Sequence, residues 1–273
     1  MMLQTDHMIL LALIQGITEF LPISSSGHLV LLPALTNFAD QGQLFDVAAH
    51  FGTLGAVMIY LRKQIIEMAI GTLSFGKYHR QGASMALLLI FASLPVIVVG
   101  LIIEMIDPAF LRLAITVALA NLVFAGLLYK ADKDYPADKD MADFTMRDAL
   151  ALGLAQIFAL IPGTSRSGVT MTAARARGFG RVAAARFSML MAVPVIAGAT
   201  VLKSRHFVGD NSDSLEQGLI GQAGLVALLS FATALIAITL LMRWLSKADF
   251  KIFVYYRIAL GIILLGALGV GYL

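Results

Sequence analysis

The sequence predicts an all-α polytopic membrane protein, with six transmembrane helices and two re-entrant helical hairpins in an inverted-topology repeat. Composition is the first observation behind this prediction, because 59% of the 273 residues are hydrophobic and only 14% are charged. A soluble domain carries about 25% charged residues. So little charge cannot coat a water-facing surface, and soluble, disordered and fibrous proteins are therefore excluded.

Long apolar runs are the second observation. A helix needs about 20 mainly apolar residues to cross the hydrocarbon core of a bilayer. Six such runs lie at residues 44–61, 84–104, 111–129, 182–202, 219–242 and 252–272. The net charge of +3 comes from basic residues near the ends of these runs, which indicates membrane topology rather than nucleic-acid binding. The absence of cysteine excludes disulfides and thiol catalysis.

Two further apolar segments, each with a polar interruption, are the third observation. Residues 8–36 are interrupted at Pro22 and residues 149–180 at Pro162, in both cases ahead of a stretch rich in serine and glycine. Polar, non-helical backbone is tolerated at membrane depth only where protein or a water-filled cavity surrounds it. Both segments are therefore predicted to be re-entrant hairpins, which enter and leave the membrane on one side.

The charges of the loops predict the orientation of the chain. Three loops are rich in lysine and arginine, at residues 62–80, 130–147 and 243–251. The positive-inside rule places these loops in the cytoplasm, which requires that both hairpins return to their starting side and leaves both termini outside. Because three spans follow each hairpin, the two halves have opposite orientation. We predict one membrane domain over residues 1–273, with inverted repeats at 1–130 and 149–273.

The first hairpin carries a carboxylate at membrane depth. Gln15 and Glu19 are four residues apart and share one helical face, and an ionisable group inside a membrane is a functional candidate by default. The next residues include His28 and three serines, Ser24, Ser25 and Ser26. Hydroxyls beside a carboxylate and an imidazole are what nucleophilic or acid–base catalysis requires. Ser24 and Ser26 are expected to contact the substrate or, alternatively, to cap a helix.

The second hairpin has the residues of an anion-binding cradle. Arg166 offers a planar fork that matches phosphate oxygens, and the following helix offers its positive end. The other residues expected to line the cradle are Gly163, Thr164, Ser165, Ser167, Gly168 and Thr170. The segment is not a Walker A loop, because Val169 stands where lysine is needed. The alternative is a glycine-rich bend from which Arg166 reaches a lipid headgroup.

Asp46 and His50 form a weaker candidate pair at the start of the first predicted span. They are one helical turn apart, so their side chains can meet on one face. We expect the two side chains to satisfy each other within the helix bundle. The alternative is that they extend the site of the first hairpin.

These residues resemble the motifs of the undecaprenyl-diphosphate phosphatase family, the integral-membrane, bacitracin-resistance type. The first family motif, Glu/Gln-x-x-x-Glu followed by Pro-x-Ser-Ser-x-Gly-His, is matched by Gln15, Glu19, Pro22, Ser24, Ser25, Gly27 and His28. The second, Pro-Gly-x-Ser-Arg-Ser-x-x-Thr, is matched by Pro162, Gly163, Ser165, Arg166, Ser167 and Thr170. The resemblance covers essentially the whole chain, and its one departure is Gln15, where many members carry a second glutamate.

The resemblance implies hydrolysis of undecaprenyl diphosphate to the monophosphate and phosphate. This reaction recycles the carrier lipid for peptidoglycan and other cell-wall polymers. The resemblance also implies a divalent metal, magnesium or calcium, and a bacterial inner-membrane site that opens to the outer face. The expected partners are the polyprenyl diphosphate lipid and the bilayer, with a homodimer as an option and no nucleic acid.

The family resemblance and the residue chemistry together suggest individual roles. Glu19 would bind the metal, together with Gln15, or act as the base. Ser25 would attack phosphorus, and His28 would shuttle protons or attack phosphorus itself. Arg166 and the backbone amides around it would hold the diphosphate, because phosphoryl transfer depends mostly on positioning and charge neutralisation.

A transporter or flippase of an anionic polyprenyl lipid is the alternative function. Inverted repeats with broken helices at the midplane are typical of alternating-access carriers, and a carrier would need the cradle around Arg166. It would not need hydroxyls and an imidazole beside Glu19, so this cluster favours an enzyme. A purely structural role in the membrane would not account for the polar residues of either hairpin.

Overall fold

The computed structural model describes residues 3–25, 27–29, 42–106, 108–204 and 217–270. Ten α-helices contain most of these residues, and no β-strand occurs among them. The helices are α1 (Thr5–Thr18), α2 (Gln43–Tyr60), α3 (Arg62–Leu73), α4 (Arg80–Ile106), α5 (Ala114–Asp134), α6 (Met146–Gln156), α7 (Arg166–Ala176), α8 (Arg181–Ser204), α9 (Gln217–Leu245) and α10 (Lys251–Gly269). The predicted all-α membrane fold is confirmed.

The long apolar helices coincide with the predicted spans. Those long and apolar enough to cross a membrane, within the described ranges, are α4, α5, α8, α9 and α10. α2 and α3 meet the same criterion only as a pair, which is bent by 81° at Leu61. The bend falls at the end of the apolar helix α2, where Arg62 and Lys63 begin α3. Charged side chains favour the membrane interface over the hydrocarbon, so the chain turns there. The described residues therefore contain five or six spans.

The first arms of the two hairpins pack in reciprocal positions. α1 lies against α9, and α6 lies against α4, so each arm contacts the second span of the other half. In both contacts the backbones of the two helices lie close together. A Cβ on Gly153 would lie 2.6 Å from the Ala92 carbonyl oxygen, and a Cβ on Gly16 would lie 2.9 Å from the Ser230 carbonyl oxygen. Such approach needs residues without side chains. The two arms thus occupy corresponding places in the two halves of the chain.

A buried ion pair fixes the far end of the second hairpin. Arg175, near the end of α7, is 2% exposed and donates from Nε to Asp132 Oδ1 at 3.0 Å. Its other nitrogens donate to backbone carbonyls, including those of Pro136 at 2.9 Å and Tyr135 at 3.0 Å. Because every guanidinium nitrogen has a partner, the buried charge ties α7 firmly to the end of α5.

Candidate active site

The turns of the two hairpins meet inside the helix bundle. Glu19 follows the end of α1, and Arg166 is the first residue of α7. Arg166 Nη2 donates to Glu19 Oε1 at 3.0 Å, and its Nη1 donates to the Ser188 carbonyl at 3.2 Å. Glu19 is 6% exposed. The two charges that the sequence places at membrane depth therefore form one buried pair across the two halves of the chain.

Three further side chains surround the Glu19 carboxylate. Glu19 Oε2 accepts hydrogen bonds from Gln15 Nε2 at 2.9 Å and from Ser25 Oγ at 3.1 Å. His50 Nε2, on α2, lies 3.9 Å from the same oxygen. The carboxylate is thus close enough to Ser25 to accept its proton.

His50 reaches this site although the sequence favoured a partnership with Asp46. The observed link between the two runs from His50 Nδ1 to the Asp46 backbone carbonyl at 2.8 Å. This bond leaves Nε2 directed towards Glu19, at the 3.9 Å separation. The arrangement agrees with the alternative in which α2 extends the site, because only packing of α2 beside the hairpin can create this contact.

His28 is engaged away from Ser25. Its Nδ1 lies 2.6 Å from the Ser24 backbone carbonyl, and its Nε2 lies 2.5 Å from Tyr256 Oη on α10. Both ring nitrogens therefore have partners other than the Ser25 hydroxyl. Of the two candidate bases, Glu19 is the one in contact with Ser25.

The backbones of the two turns are alike. Ser24 has φ +72° and Ser165 has φ +69°, values that non-glycine residues rarely adopt. In each turn the serine Oγ accepts a hydrogen bond from the amide three residues later, Gly27 at 3.2 Å and Gly168 at 3.1 Å. Both serines therefore cap the helical turn that follows, and strained backbone held in this way is a common feature of functional sites. Ser26 lies outside the described residues.

The remaining polar residues of the second hairpin have different partners. Ser167 Oγ donates to the Leu21 carbonyl at 2.8 Å and joins the two turns directly. Thr170 Oγ1 is 2.6 Å from Ser188 Oγ, inside the bundle, whereas the fully buried Thr164 Oγ1 finds no hydrogen-bond partner in the part of the chain that the structure describes. The chain turns at Gly163, which has φ +95°. Gly163 lies so close to α5 that a Cβ there would overlap the Val117 carbonyl oxygen. The phosphate contacts expected of these residues stay predictions.

Arg257, on α10, is a site residue that the sequence analysis missed. It is fully buried, and its Nη2 donates to the carbonyls of Gly163 at 3.0 Å and Thr164 at 2.9 Å. Its Nη1 lies 3.4 Å from the Pro22 carbonyl, so one guanidinium holds both turns. Nε donates to Asn121 Oδ1 at 2.8 Å. An arginine inside an apolar span was the available indication, because such a charge seldom lacks a function.

The donors for a divalent cation are few. No cluster of three or more histidine and acidic side chains occurs in the ranges that the structure describes. Gln15 Oε1, however, is buried and has no hydrogen-bond partner among the described residues, and it belongs to the same amide group as the nitrogen that contacts Glu19. Magnesium commonly binds through one or two carboxylates together with substrate phosphates. One carboxylate and one free amide oxygen fit that pattern.

Fold and site together define a polytopic membrane protein in which a buried carboxylate contacts a partly buried serine and a partly buried arginine, a set suited to phosphate chemistry. Residues 8–263 match the model of the family described as bacitracin resistance protein BacA. The chain belongs to the BacA family. It is 45% identical over 264 residues to the undecaprenyl-diphosphatase of Dinoroseobacter shibae, covering 95% of this chain and 97% of that protein. The undecaprenyl-diphosphatases of Ruegeria pomeroyi and Alteromonas mediterranea are 45% and 40% identical, over the same shares of each chain.

Proposed function

We propose that the protein hydrolyses undecaprenyl diphosphate to undecaprenyl phosphate and inorganic phosphate. One observation carries the proposal, namely the contact of the buried Glu19 carboxylate with Ser25 of the same hairpin and with Arg166 of the other. Membership of a family whose relatives are named undecaprenyl-diphosphatase supports the same conclusion. The product would return to the cycle that carries cell-wall precursors across the membrane.

The terminal phosphate would bind between the two turns. α7 begins at Arg166, so its free amides and positive end lie at the site. Arg166 would exchange part of its contact with Glu19 for a bidentate contact to phosphate oxygens. The backbone amides of Ser165, Arg166 and Ser167, at the start of α7, would offer further donors, and the Gly168 amide, which donates to Ser165 Oγ, would keep the turn in shape.

Ser25 would be the nucleophile, and Glu19 would be its base. Ser25 Oγ attacks the terminal phosphorus while Glu19 accepts the hydroxyl proton, and the bond from phosphorus to the bridging oxygen breaks. Glu19 passes that proton to the departing undecaprenyl phosphate. Glu19 then takes a proton from water, which attacks the phosphoserine and releases phosphate, and returns that proton to Ser25. The hydrogen bond of 3.1 Å between Ser25 and Glu19 supports this assignment.

A divalent cation, magnesium or calcium, would be held by Glu19 and Gln15. The buried and unpartnered Gln15 Oε1 supports this part of the proposal. The cation would neutralise charge on the bound diphosphate. Gln15 donates to Glu19 from its amide nitrogen, and this bond keeps the side chain in place for the role.

The prenyl chain would lie in an apolar groove that begins at the first hairpin. The groove has a volume of about 440 Å³ and is lined by Ile17, Leu21, Ala237, Trp244 and Phe253, among others. Ile17 and Leu21 stand on either side of Glu19 in the chain. The chain of a lipid whose diphosphate lies beside Glu19 would run along this groove, where apolar side chains replace the bilayer hydrocarbon around it.

Orientation, repeat structure and assembly belong to the same proposal. The protein would lie in the bacterial inner membrane, with both termini and the site opening on the outer face. Residues 1–130 and 149–273 would be inverted repeats, which the reciprocal packing of α1 and α6 and the matched turns support. A homodimer is the proposed assembly.

Phosphate release by purified protein in detergent tests the proposed function. We expect release of one phosphate per undecaprenyl diphosphate, with undecaprenyl phosphate as the other product, and slower release after a chelator removes divalent cations. The matched control is Lys247→Ala, a change at an exposed residue of the loop between α9 and α10, which should leave the rate unchanged. Binding of the lipid without phosphate release would favour the transporter instead.

A further inference from the structure

The α10 helix contacts the proposed site at a second point, next to Arg257. Tyr256 Oη lies 2.5 Å from His28 Nε2, and the two rings are stacked with centroids 5.7 Å apart and planes within 9°. His28 belongs to the first hairpin, whereas Tyr256 follows it by 228 residues. The contact therefore depends on the fold and on no local feature of the sequence.

The other ring nitrogen of His28 determines what this contact does. Nδ1 lies 2.6 Å from the Ser24 carbonyl, which can only accept a hydrogen bond. The proton of a neutral imidazole is therefore on Nδ1, and Nε2 accepts the hydroxyl proton of Tyr256. The lone pair on His28 Nε2 is therefore directed at the Tyr256 hydroxyl rather than at Ser25.

Arg257 holds Tyr256 in this position. Arg257 is the next residue along α10, and it donates to the carbonyls of Pro22, Gly163 and Thr164. The helix therefore cannot turn about its axis without breaking these bonds. Tyr256 is 44% exposed, in contrast to the fully buried arginine. The Tyr256 hydroxyl is thus held against the His28 imidazole, while part of the tyrosine side chain lies on the surface of the protein.

We propose that Tyr256 is a positioning residue for His28. Its hydroxyl donates to Nε2 and holds the imidazole, whose tautomer the Ser24 carbonyl sets, in one orientation that leaves the Ser25 hydroxyl to Glu19. The inference rests on the proposed function for its kinetic consequences. The hydrogen-bonding arrangement itself concerns only His28, Ser24 and Tyr256 and can be measured without substrate.

Substitution of Tyr256 by phenylalanine removes the hydroxyl and keeps the ring. We expect Tyr256→Phe to lower kcat about tenfold with KM changed less than twofold, because an imidazole released from Tyr256 can turn Nε2 towards the Ser25 hydroxyl and compete with Glu19 for its proton. The matched control is Tyr255→Phe, at the neighbouring tyrosine that is 61% exposed, and it should change kcat less than twofold. Equal kcat for Tyr256→Phe and wild type would overturn the proposal.

A double-mutant cycle separates positioning from a general loss of stability. If Tyr256 acts through His28, the double variant His28→Gln/Tyr256→Phe should have the kcat of His28→Gln alone. Multiplication of the two single losses would contradict the proposal. Unchanged elution and melting temperature of Tyr256→Phe in detergent would exclude unfolding as the cause.

The tautomer can be measured on the wild-type protein. In protein labelled with ¹⁵N-histidine, the His28 resonance, identified by its loss in His28→Gln, should report Nδ1 protonated and Nε2 unprotonated at neutral pH. The opposite tautomer would overturn the inference. Absence of phosphate release by wild type would instead refute the proposed function and leave this measurement valid.

Discussion

At the scale of single residues, Arg257 joins the two halves of the molecule. Its guanidinium contacts carbonyls from both hairpin turns and the Asn121 amide, all of them buried. The described residues give it no carboxylate partner. A buried cation among carbonyl oxygens is stabilised by hydrogen bonds alone, so its removal leaves several acceptors unsatisfied in a non-aqueous interior.

Substitution of Arg257 by methionine should therefore reduce both stability and activity. Each buried carbonyl left without a donor costs about 1–3 kcal/mol, and the two turns lose their common anchor. We expect Arg257→Met to lower the melting temperature in detergent by several degrees and phosphate release about 100-fold, with Arg257→Lys in between. Arg243→Met, at an exposed position near the end of α9, is the control. Wild-type values for Arg257→Met would contradict the role given to Arg257.

At the scale of helices, the position of the second hairpin depends on the contact of α6 with α4. At Gly153 the two backbones are so close that a Cβ would lie 2.6 Å from the Ala92 carbonyl oxygen. The atom in the way belongs to the backbone of a long helix and cannot move as a side chain can. α6 leads into the turn before Arg166, so a shift of α6 would move Arg166 as well.

A single methyl group should disturb this contact measurably. We expect Gly153→Ala to lower the melting temperature by several degrees and to reduce phosphate release, because α6 must shift and carries the cradle with it. Gly126→Ala is a matched control inside α5, where a Cβ would meet nothing within 4 Å. The control should be neutral or stabilising, since alanine favours a helix by about 1 kcal/mol over glycine. Equal melting temperatures for the two variants would show that the backbones are not in contact.

At the scale of the whole molecule, the predicted orientation rests on the charges of the loops. The chain contains no cysteine, so single introduced cysteines can be labelled without background. We expect an impermeant maleimide to label Met105→Cys, at the exposed end of α4, in intact cells. Lys247→Cys, in the basic loop between α9 and α10, should react only after lysis. The reverse pattern would overturn the predicted topology.

The same scale explains which parts the sequence could predict. Glu19, Ser25 and Arg166 were found because a polar interruption of an apolar segment is local and visible in one stretch of chain. Tyr256 and Arg257 were missed because they lie near the start of an ordinary apolar span, where a basic residue is expected as an interface anchor. The contact of His50 with Glu19 depends on how α2 packs beside the first hairpin, and no spacing in the sequence encodes that packing.

Arg166 offers the most direct test of the central claim that two hairpins build one phosphate site. Phosphate release from purified undecaprenyl diphosphate should be compared between wild type and Arg166→Ala, both in detergent and both with intact folding. Removal of one partner of such an ion pair costs about 3–5 kcal/mol, so we predict a loss of about 150- to 5,000-fold in kcat/KM. A loss of less than about threefold, well under 1 kcal/mol, would contradict the account.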